Sequence, residues 1–251
     1  MSGVRDRHEE DTGGDPMSGD RIRQLTAEFV GTALLLTAVV GSGIMGERLA
    51  GGNVAVTLLA NTLATGAALL ALILTFGPVS GAHFNPAVTL ADASQSGLAW
   101  RAVPGYVAAQ LAGAVGGVWT AHAMFGESIL MLSTHPRSGF AQMLSEFVAT
   151  FGLVAVISGC SRRRFEFVPF AVAAYITAAY WFTASTSFAN PAVTAARALT
   201  DTFSGIAPRD VSGFVAAQLL GAAAATLLFK WLVPAASASD RIVPRVGEAV
   251  R

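Results

Sequence analysis

The stretch that most restricts the fold of this chain is residues 49–91, which contain no Asp, Glu, Lys or Arg. A helix needs about 20 apolar residues to cross the hydrocarbon core of a bilayer. The stretch is therefore too long for one span and too short for two spans joined by a loop. It predicts one transmembrane helix followed by a segment that enters the membrane without crossing it.

Further apolar stretches recur along the chain between charged and turn-forming residues. The chain is 53% hydrophobic and 13% charged, about half the charge of an ordinary soluble domain. We therefore expect an all-α membrane protein whose surroundings are the lipid bilayer. The predicted spans are about 24–45, 54–76, 102–125, 140–160, 167–184 and 210–233.

Polar segments flank the predicted membrane-embedded region, residues 24–233. Residues 1–23 contain no apolar run and predict a disordered cytoplasmic tail, and residues 234–251 predict a second cytoplasmic tail. The cluster Arg162–Arg164 between the fourth and fifth spans marks the cytoplasmic side by the positive-inside rule. The expected topology is a multi-pass protein of the cell (inner) membrane with both termini in the cytoplasm.

Charge and cysteine content exclude several classes of function. Sixteen basic and sixteen acidic residues cancel, so nothing indicates nucleic-acid binding. The single cysteine, Cys160, excludes an internal disulfide and a cysteine-rich zinc site. No nucleophile with a base at motif spacing and no glycine-rich phosphate loop occurs, so we expect no enzyme, no catalytic residue, no cofactor and no metal site.

The chain contains an internal repeat that divides it into halves of about 24–125 and 140–233. Three segments of the first half recur in the same order in the second. The matching segments are Ala27–Thr32 with Ser145–Thr150, His83–Thr89 with Phe188–Thr194, and Gly105–Ala114 with Gly213–Ala222. Because each half holds three spans, the second half is expected to be inserted upside down relative to the first, as an inverted 3+3 repeat.

Each half also contains one Asn-Pro-Ala motif. Asparagine is a preferred N-cap and proline a preferred first helical residue, so each motif predicts the start of a helix. The two helices, Pro86 to about Ala93 and Pro191 to about Thr200, are only long enough to cover half the bilayer. We therefore expect six transmembrane helices plus two re-entrant half-helices. The predicted pore motifs are Asn85, Pro86, Ala87 and Asn190, Pro191, Ala192.

Two half-helices that meet near the bilayer midplane have a direct electrostatic consequence. Each helix N-terminus carries about half a positive charge, which repels cations. Each Asn amide oxygen caps its own helix, while the NH₂ group is expected to point outward as a hydrogen-bond donor. A neutral molecule with lone pairs is therefore favoured where the two half-helices meet.

These features resemble those of aquaporins, the major intrinsic protein family, over about residues 20–235. The resemblance implies a passive channel for water and small neutral solutes. It also implies a homotetramer with one pore in each subunit.

The outer filter departs from the family pattern. Members usually have an arginine directly after the second motif, where this chain has Val193. Carried over by spacing, the other filter positions are Thr65, Ala178 and Ser187. All four residues are small, so we expect a wide, uncharged constriction. Arg197, one turn beyond Val193, is a candidate for lining the vestibule, although snorkelling to the outer interface is the favoured interpretation.

The Val193 replacement and the segment 196–206 are similar to a bacterial branch of the family associated with arsenic handling. That resemblance implies uncharged metalloid acids such as arsenous acid, organoarsenicals, or glycerol-like polyols as cargo. Ordinary water or glycerol conduction is the alternative, and a coupled secondary transporter is a further one.

Two acidic residues and one histidine of the apolar segments are candidates for a functional or supporting role. Glu28 and Glu146 occupy equivalent positions in the two halves, which favours a role in supporting the loops before the half-helices over proton coupling. His83, two residues before Asn85, is either a hydrogen-bonded loop residue, the favoured interpretation, or a pH-sensitive group at the cytoplasmic mouth.

Overall fold

The computed structural model of the chain describes residues 19–162 and 164–232. The predicted tails fall almost entirely outside these residues, as does Arg163. The described residues form six long helices and two short ones. They are α1 (Gly19–Leu49), α2 (Val54–Ser80), α3 (Pro86–Ser94), α4 (Val103–Phe125), α5 (Phe140–Ser161), α6 (Val168–Phe182), α7 (Pro191–Arg197) and α8 (Pro208–Leu232).

The predicted fold class, six spans plus two half-helices, is confirmed within the described residues. Five of these helices are long and apolar enough to cross a membrane, α6 together with the 3-10 helix Phe165–Phe167 that precedes it. The sixth, α4, has 23 residues. It carries the polar residues Gln110 and His122, both of which are buried inside the protein.

Some predicted boundaries were wrong. Helix α1 begins at Gly19, so residues 19–23 are helical and do not belong to a disordered tail. An acidic residue in its first turn, Asp20, stabilises this start and pairs with Arg23 at 3.1 Å. Helix α7 ends at Arg197, three residues before the predicted Thr200.

The two halves pack in the same way. In the first half α1 lies against α2 and α4, and in the second half α5 lies against α6 and α8. The two half-helices α3 and α7 are both held between α4 and α8. This arrangement places their N-termini in the interior of the bundle, where the two halves meet.

Glycines permit the closest helix contacts in both halves. A Cβ atom on Gly113 of α4 would lie 2.3 Å from the carbonyl oxygen of Phe29 in α1. A Cβ atom on Gly221 of α8 would lie 2.4 Å from the carbonyl oxygen of Phe147 in α5. Small residues at these positions therefore allow backbone-to-backbone contact in a bundle without large side chains at the interface.

The bundle has two ends, which we name by their residues. The terminal face holds the start of α1 and the loop after α3. There the Arg21 side chain donates to the Ala102 carbonyl at 2.9 Å and Arg162 donates to Gln95 at 3.1 Å. The far face holds the connections 126–139 and 198–207, which are joined by a 2.7 Å hydrogen bond from Ala207 N to the His135 carbonyl.

Candidate functional site

The two Asn-Pro-Ala motifs begin α3 and α7, and each asparagine caps its own helix. The Oδ1 atom of Asn85 accepts from the backbone N of Ala87 at 2.9 Å. The Oδ1 atom of Asn190 accepts from the backbone N of Ala192, also at 2.9 Å. Proline at the first helical position lacks the N–H that would otherwise need a partner.

The amide groups of the two asparagines also join the halves. Asn85 Nδ2 donates to the carbonyl of Ala189 at 2.7 Å, and Asn190 Nδ2 donates to the carbonyl of Phe84 at 2.7 Å. We expected both NH₂ groups to point outward. Each instead uses one hydrogen to hold the opposite loop, which leaves one hydrogen for a molecule in the cavity.

The loops before the half-helices adopt an unusual backbone conformation at equivalent positions. Ala82 and Phe84 have φ values of 50° and 49°, and Ser187 and Ala189 have values of 50° and 49°. Left-handed conformations at non-glycine residues cost free energy, so the surrounding contacts must hold them in place.

Glu28 makes such contacts in the first half. Its two carboxylate oxygens accept from the backbone N of His83 at 2.9 Å and of Phe84 at 2.8 Å. They also accept from Ser80 Oγ and from Gln110 Nε2, each at 2.7 Å. These are the contacts that a loop-supporting carboxylate requires.

Glu146 makes the equivalent contacts in the second half. It accepts from the backbone N of Phe188 and of Ala189, each at 2.9 Å, and from Gln218 Nε2 at 2.6 Å. Both glutamates are fully buried. The supporting glutamines were missed in the sequence analysis, although Gln110 and Gln218 occupy matching positions in the repeated Gly-Tyr/Phe-Val-Ala-Ala-Gln segments.

A cavity of about 1480 Å³ lies between the two halves and includes both asparagines in its lining. On the terminal side it is lined by His83, Asp92 and Arg162. On the far side it is lined by Thr65, Ser187 and Val193, among others. The cavity therefore passes the point where the two half-helices meet and continues beyond it on both sides.

The far side of this cavity, where the sequence predicts the constriction, includes an aromatic residue. Its lining residues Thr65, Tyr180, Ser187 and Val193 are each 3–5% exposed. The Tyr180 hydroxyl donates to Thr65 Oγ1 at 3.2 Å across it. The Ser187 hydroxyl oxygen is buried and has no hydrogen-bond partner among the described residues.

The assignment of Ala178 to the filter was wrong. Ala178 is exposed and does not line the cavity. The inward face of α6 is set by Val172, Ile176 and Tyr180, which follow a helical spacing of four residues. Residues two apart on a helix point in nearly opposite directions, so Tyr180 takes the place given to Ala178. The expected set of four small residues is therefore also wrong.

The favoured interpretation of Arg197 was wrong as well. It does not snorkel to the outer interface, because the residue is only 1% exposed. Its Cζ atom lies 3.4 Å from the centroid of the Phe188 ring, and its Nε atom donates to the carbonyl of Ser204. Arg197 also belongs to the lining of the cavity on the far side.

His83 lies in the terminal-side part of the cavity. Its Nδ1 atom is 3.1 Å from Thr89 Oγ1, and its Nε2 atom is 3.5 Å from Asp92 Oδ2. The side chain is therefore hydrogen-bonded in its loop while still lining the cavity. Within the described residues no group of three or more His, Cys, Asp or Glu side chains is placed to hold a metal ion.

Comparison with known proteins gives consistent matches. The sequence profile of the family described as Major intrinsic protein matches residues 17–166. Aquaglyceroporin AqpS of Rhizobium meliloti (strain 1021) is 55% identical over 214 residues, which cover 85% of this chain and 91% of that protein. Aquaporin NIP3-1 of Arabidopsis thaliana is 32% identical over 203 residues, which cover 75% of this chain and 62% of the plant protein.

A solved structure also matches. The X-ray structure of the aquaglyceroporin from Plasmodium falciparum superposes with a TM-score of 0.63, covering 84% of this chain and 95% of that one. At 20% sequence identity this likeness shows the fold alone.

A six-helix bundle in which two half-helices meet on an internal cavity defines a membrane channel for small solutes, and not an enzyme. The chain belongs to the major intrinsic protein family.

Proposed function

We propose that the chain is a passive channel for small uncharged solutes, which pass through the cavity between the two halves. The observation that carries this proposal is the pair of asparagines in the cavity lining. Each retains one N–H donor after capping its helix and bonding the opposite loop. A passing molecule with two lone pairs can accept from both donors in turn.

Electrostatics at the same point favours neutral molecules. The N-termini of α3 and α7 converge on the asparagines, and each contributes a partial positive charge. The far-side constriction adds the Thr65 and Tyr180 hydroxyls without a carboxylate. A hydroxylated solute replaces its hydration with these groups.

The size of the constriction suggests which hydroxylated solutes pass. Thr65, Ser187 and Val193 are small, whereas Tyr180 restricts the opening from one side. We propose glycerol-like polyols and uncharged metalloid acids of similar size, such as arsenous acid or methylated arsenicals. The name of the Rhizobium relative, aquaglyceroporin AqpS, supports the polyol part of this proposal. A channel that conducts water with little solute is the alternative.

A proton-coupled carrier is disfavoured by the state of the two buried carboxylates. Glu28 accepts from four donors and Glu146 from three. Neither residue lines the cavity. Protonation would break hydrogen bonds that hold the loops, so these groups are poorly suited to load and release protons during transport.

We further propose that the terminal face is cytoplasmic and that the protein is a homotetramer of the inner membrane. Arginines that flank the spans on the terminal face support this orientation. They are Arg21, Arg23, Arg101, Arg162 and Arg164. The tetramer rests on family membership, and cross-linking of the purified protein tests it.

Stopped-flow light scattering on proteoliposomes tests the proposed cargo. Vesicles are shrunk with sucrose, glycerol or arsenous acid in turn. We expect re-swelling with glycerol and arsenous acid but not with sucrose, at rates well above those of protein-free vesicles. Fast shrinkage without re-swelling in any solute would instead support the water channel and contradict the solute proposal.

A further inference from the structure

Position 193, at the far mouth of the cavity, is a valine and not an arginine. The guanidinium group of Arg197 nevertheless lies in the lining of this part of the cavity. Arg197 is 1% exposed, has no hydrogen bond to its Nη atoms among the described residues, and lines the cavity. None of the salt bridges formed by the described residues involves Arg197. Burying a charge without a carboxylate partner costs free energy, so the position of Arg197 calls for an explanation.

Helix geometry explains how Arg197 reaches this position. Side chains on a helix point back toward its N-terminus, so a residue covers the turn that precedes it. Arg197 therefore extends over Val193, one turn earlier in α7, toward the constriction. Val193 and Arg197 both belong to the lining of the cavity.

Neighbouring groups hold the guanidinium in place. The ring of Phe188 lies 3.4 Å below its Cζ atom, a cation–π contact, and the Ser204 carbonyl accepts from Nε. Arg137 lies on the same ring at 5.0 Å, but its Nε and Nη1 atoms bond the carbonyls of Gly205 and Ser185 and it does not line the cavity. Arg197 is thus the arginine of this pair that faces the pathway.

We propose that Arg197 is the specificity-determining cation of the far mouth, supplying from one turn further along α7 the positive charge that position 193 lacks. Its guanidinium rejects cations and donates hydrogen bonds to the oxygens of neutral solutes. This inference rests on the proposed channel function and assigns a residue to its cation exclusion.

The test uses two permeants of nearly equal size and shape, neutral urea and the guanidinium cation. Uptake of each is measured in proteoliposomes of the full chain carrying Arg197→Leu, Arg197→Gln or Arg197→Lys. The matched control is Arg209→Leu, which removes an exposed arginine of the far face that does not line the cavity. Arg197→Gln keeps hydrogen-bond donors but removes the charge. It provides the same test if the Arg197→Leu variant does not fold.

We expect the guanidinium-to-urea ratio to rise about tenfold or more in Arg197→Leu and Arg197→Gln, because a unit charge a few ångströms from the pathway is removed. The ratio should stay near the wild-type value in Arg197→Lys and Arg209→Leu. A wild-type ratio in both neutral variants, with urea uptake intact, overturns this inference alone. Absence of both urea and glycerol uptake in the wild-type protein would contradict the proposed channel function itself.

Discussion

The two half-helices are alike where they meet and different where they end. At the midplane each begins with a capping asparagine, a threonine one turn later, and a glutamate–glutamine pair that holds the preceding loop. Seven residues after each asparagine the halves differ. α3 carries Asp92, whose side chain is 38% exposed, whereas α7 carries Arg197, which is 1% exposed.

This difference separates two kinds of constraint. Buried backbone groups in a non-helical loop must be hydrogen-bonded, and that requirement is the same in both halves. The two mouths of the cavity share no requirement of this kind, so the charges of the side chains that line them can differ. In the proposed function, the midplane supplies the shared donors and positive helix ends, and the far mouth adds charge selectivity through Arg197.

The largest effect is expected from removing the carboxylates that support the loops. Glu28→Ala and Glu146→Ala should each lower the free energy of unfolding by about 3–5 kcal/mol, because buried donors lose their acceptor. Glu28→Ala should cost more, since Glu28 accepts from four donors and Glu146 from three. Thermal unfolding in detergent measures both, with exposed Glu166→Ala as the control. Near-wild-type stability of both variants would contradict the shared support.

Glycine substitutions test whether the packing of the halves is equivalent. Gly113→Ala and Gly221→Ala should destabilise by similar amounts, about 1–3 kcal/mol, because each added Cβ would meet a backbone carbonyl. The control, Gly116→Ala in the same helix as Gly113, has nothing within 4 Å and should be neutral or stabilising. A large effect in one half only, measured by the same unfolding experiment, would break the equivalence.

On the proposed pathway, Tyr180 is expected to set the size limit of the far-side constriction. Tyr180→Ala should let larger polyols such as sorbitol pass several times faster, with a smaller change for glycerol. Val193→Arg should have the opposite effect, since it crowds the space that Arg197 covers. The control is Ala178→Leu on the exposed face of the same helix, and it should not change either rate. A size limit that follows residue 178 instead of residue 180 would restore the assignment made from sequence.

Asp92 occupies the position in α3 that Arg197 occupies in α7. Asp92→Leu should change the guanidinium-to-urea ratio by less than about twofold, because its exposed carboxylate is screened by water. The measurement is the same vesicle assay used for Arg197. If Asp92→Leu and Arg197→Leu changed the guanidinium-to-urea ratio by equal factors in opposite directions, both mouths would control charge selectivity, and not the far mouth alone.

The smallest effect concerns the loops of the far face. The backbone N–H of Thr134 donates to Asp201 Oδ1 at 2.7 Å and lowers the pKa of this carboxyl below its ordinary value. Such a contact stabilises the fold above the ordinary pKa of about 3.9 and is lost as the pH falls through the lower folded value. Asp201→Asn should therefore lower the Tm slightly at pH 7, and the difference should shrink toward pH 3. A difference that grows on acidification would contradict this sign.

Much of the fold followed from simple regularities of the sequence. Uncharged segments gave the spans, and the repeated motifs gave the two half-helices and the supporting glutamates. These features depend on bilayer thickness and on the need to pair buried backbone groups, which are the same for any chain. The start of α1 was misplaced because polar residues such as Asp20 and Arg23 continue a helix beyond the apolar core.

The constriction was predicted less well, because its composition depends on side-chain direction. Spacing from Asn190 selected Ala178, whereas the inward spacing of Val172 and Ile176 indicates Tyr180. The position of Arg197 depends on Phe188 and Ser204, which contact it from outside its own helix. The sequence of α7 contains no pattern from which those contacts could be predicted.

The most direct test of the central claim is the initial rate of glycerol uptake into proteoliposomes, measured against glycerol concentration with and without a proton gradient. A passive pathway through fixed asparagines predicts a rate that rises linearly with concentration and does not depend on the gradient. A rate that saturates, or that collapses when the gradient is removed, would contradict the channel and favour a coupled carrier.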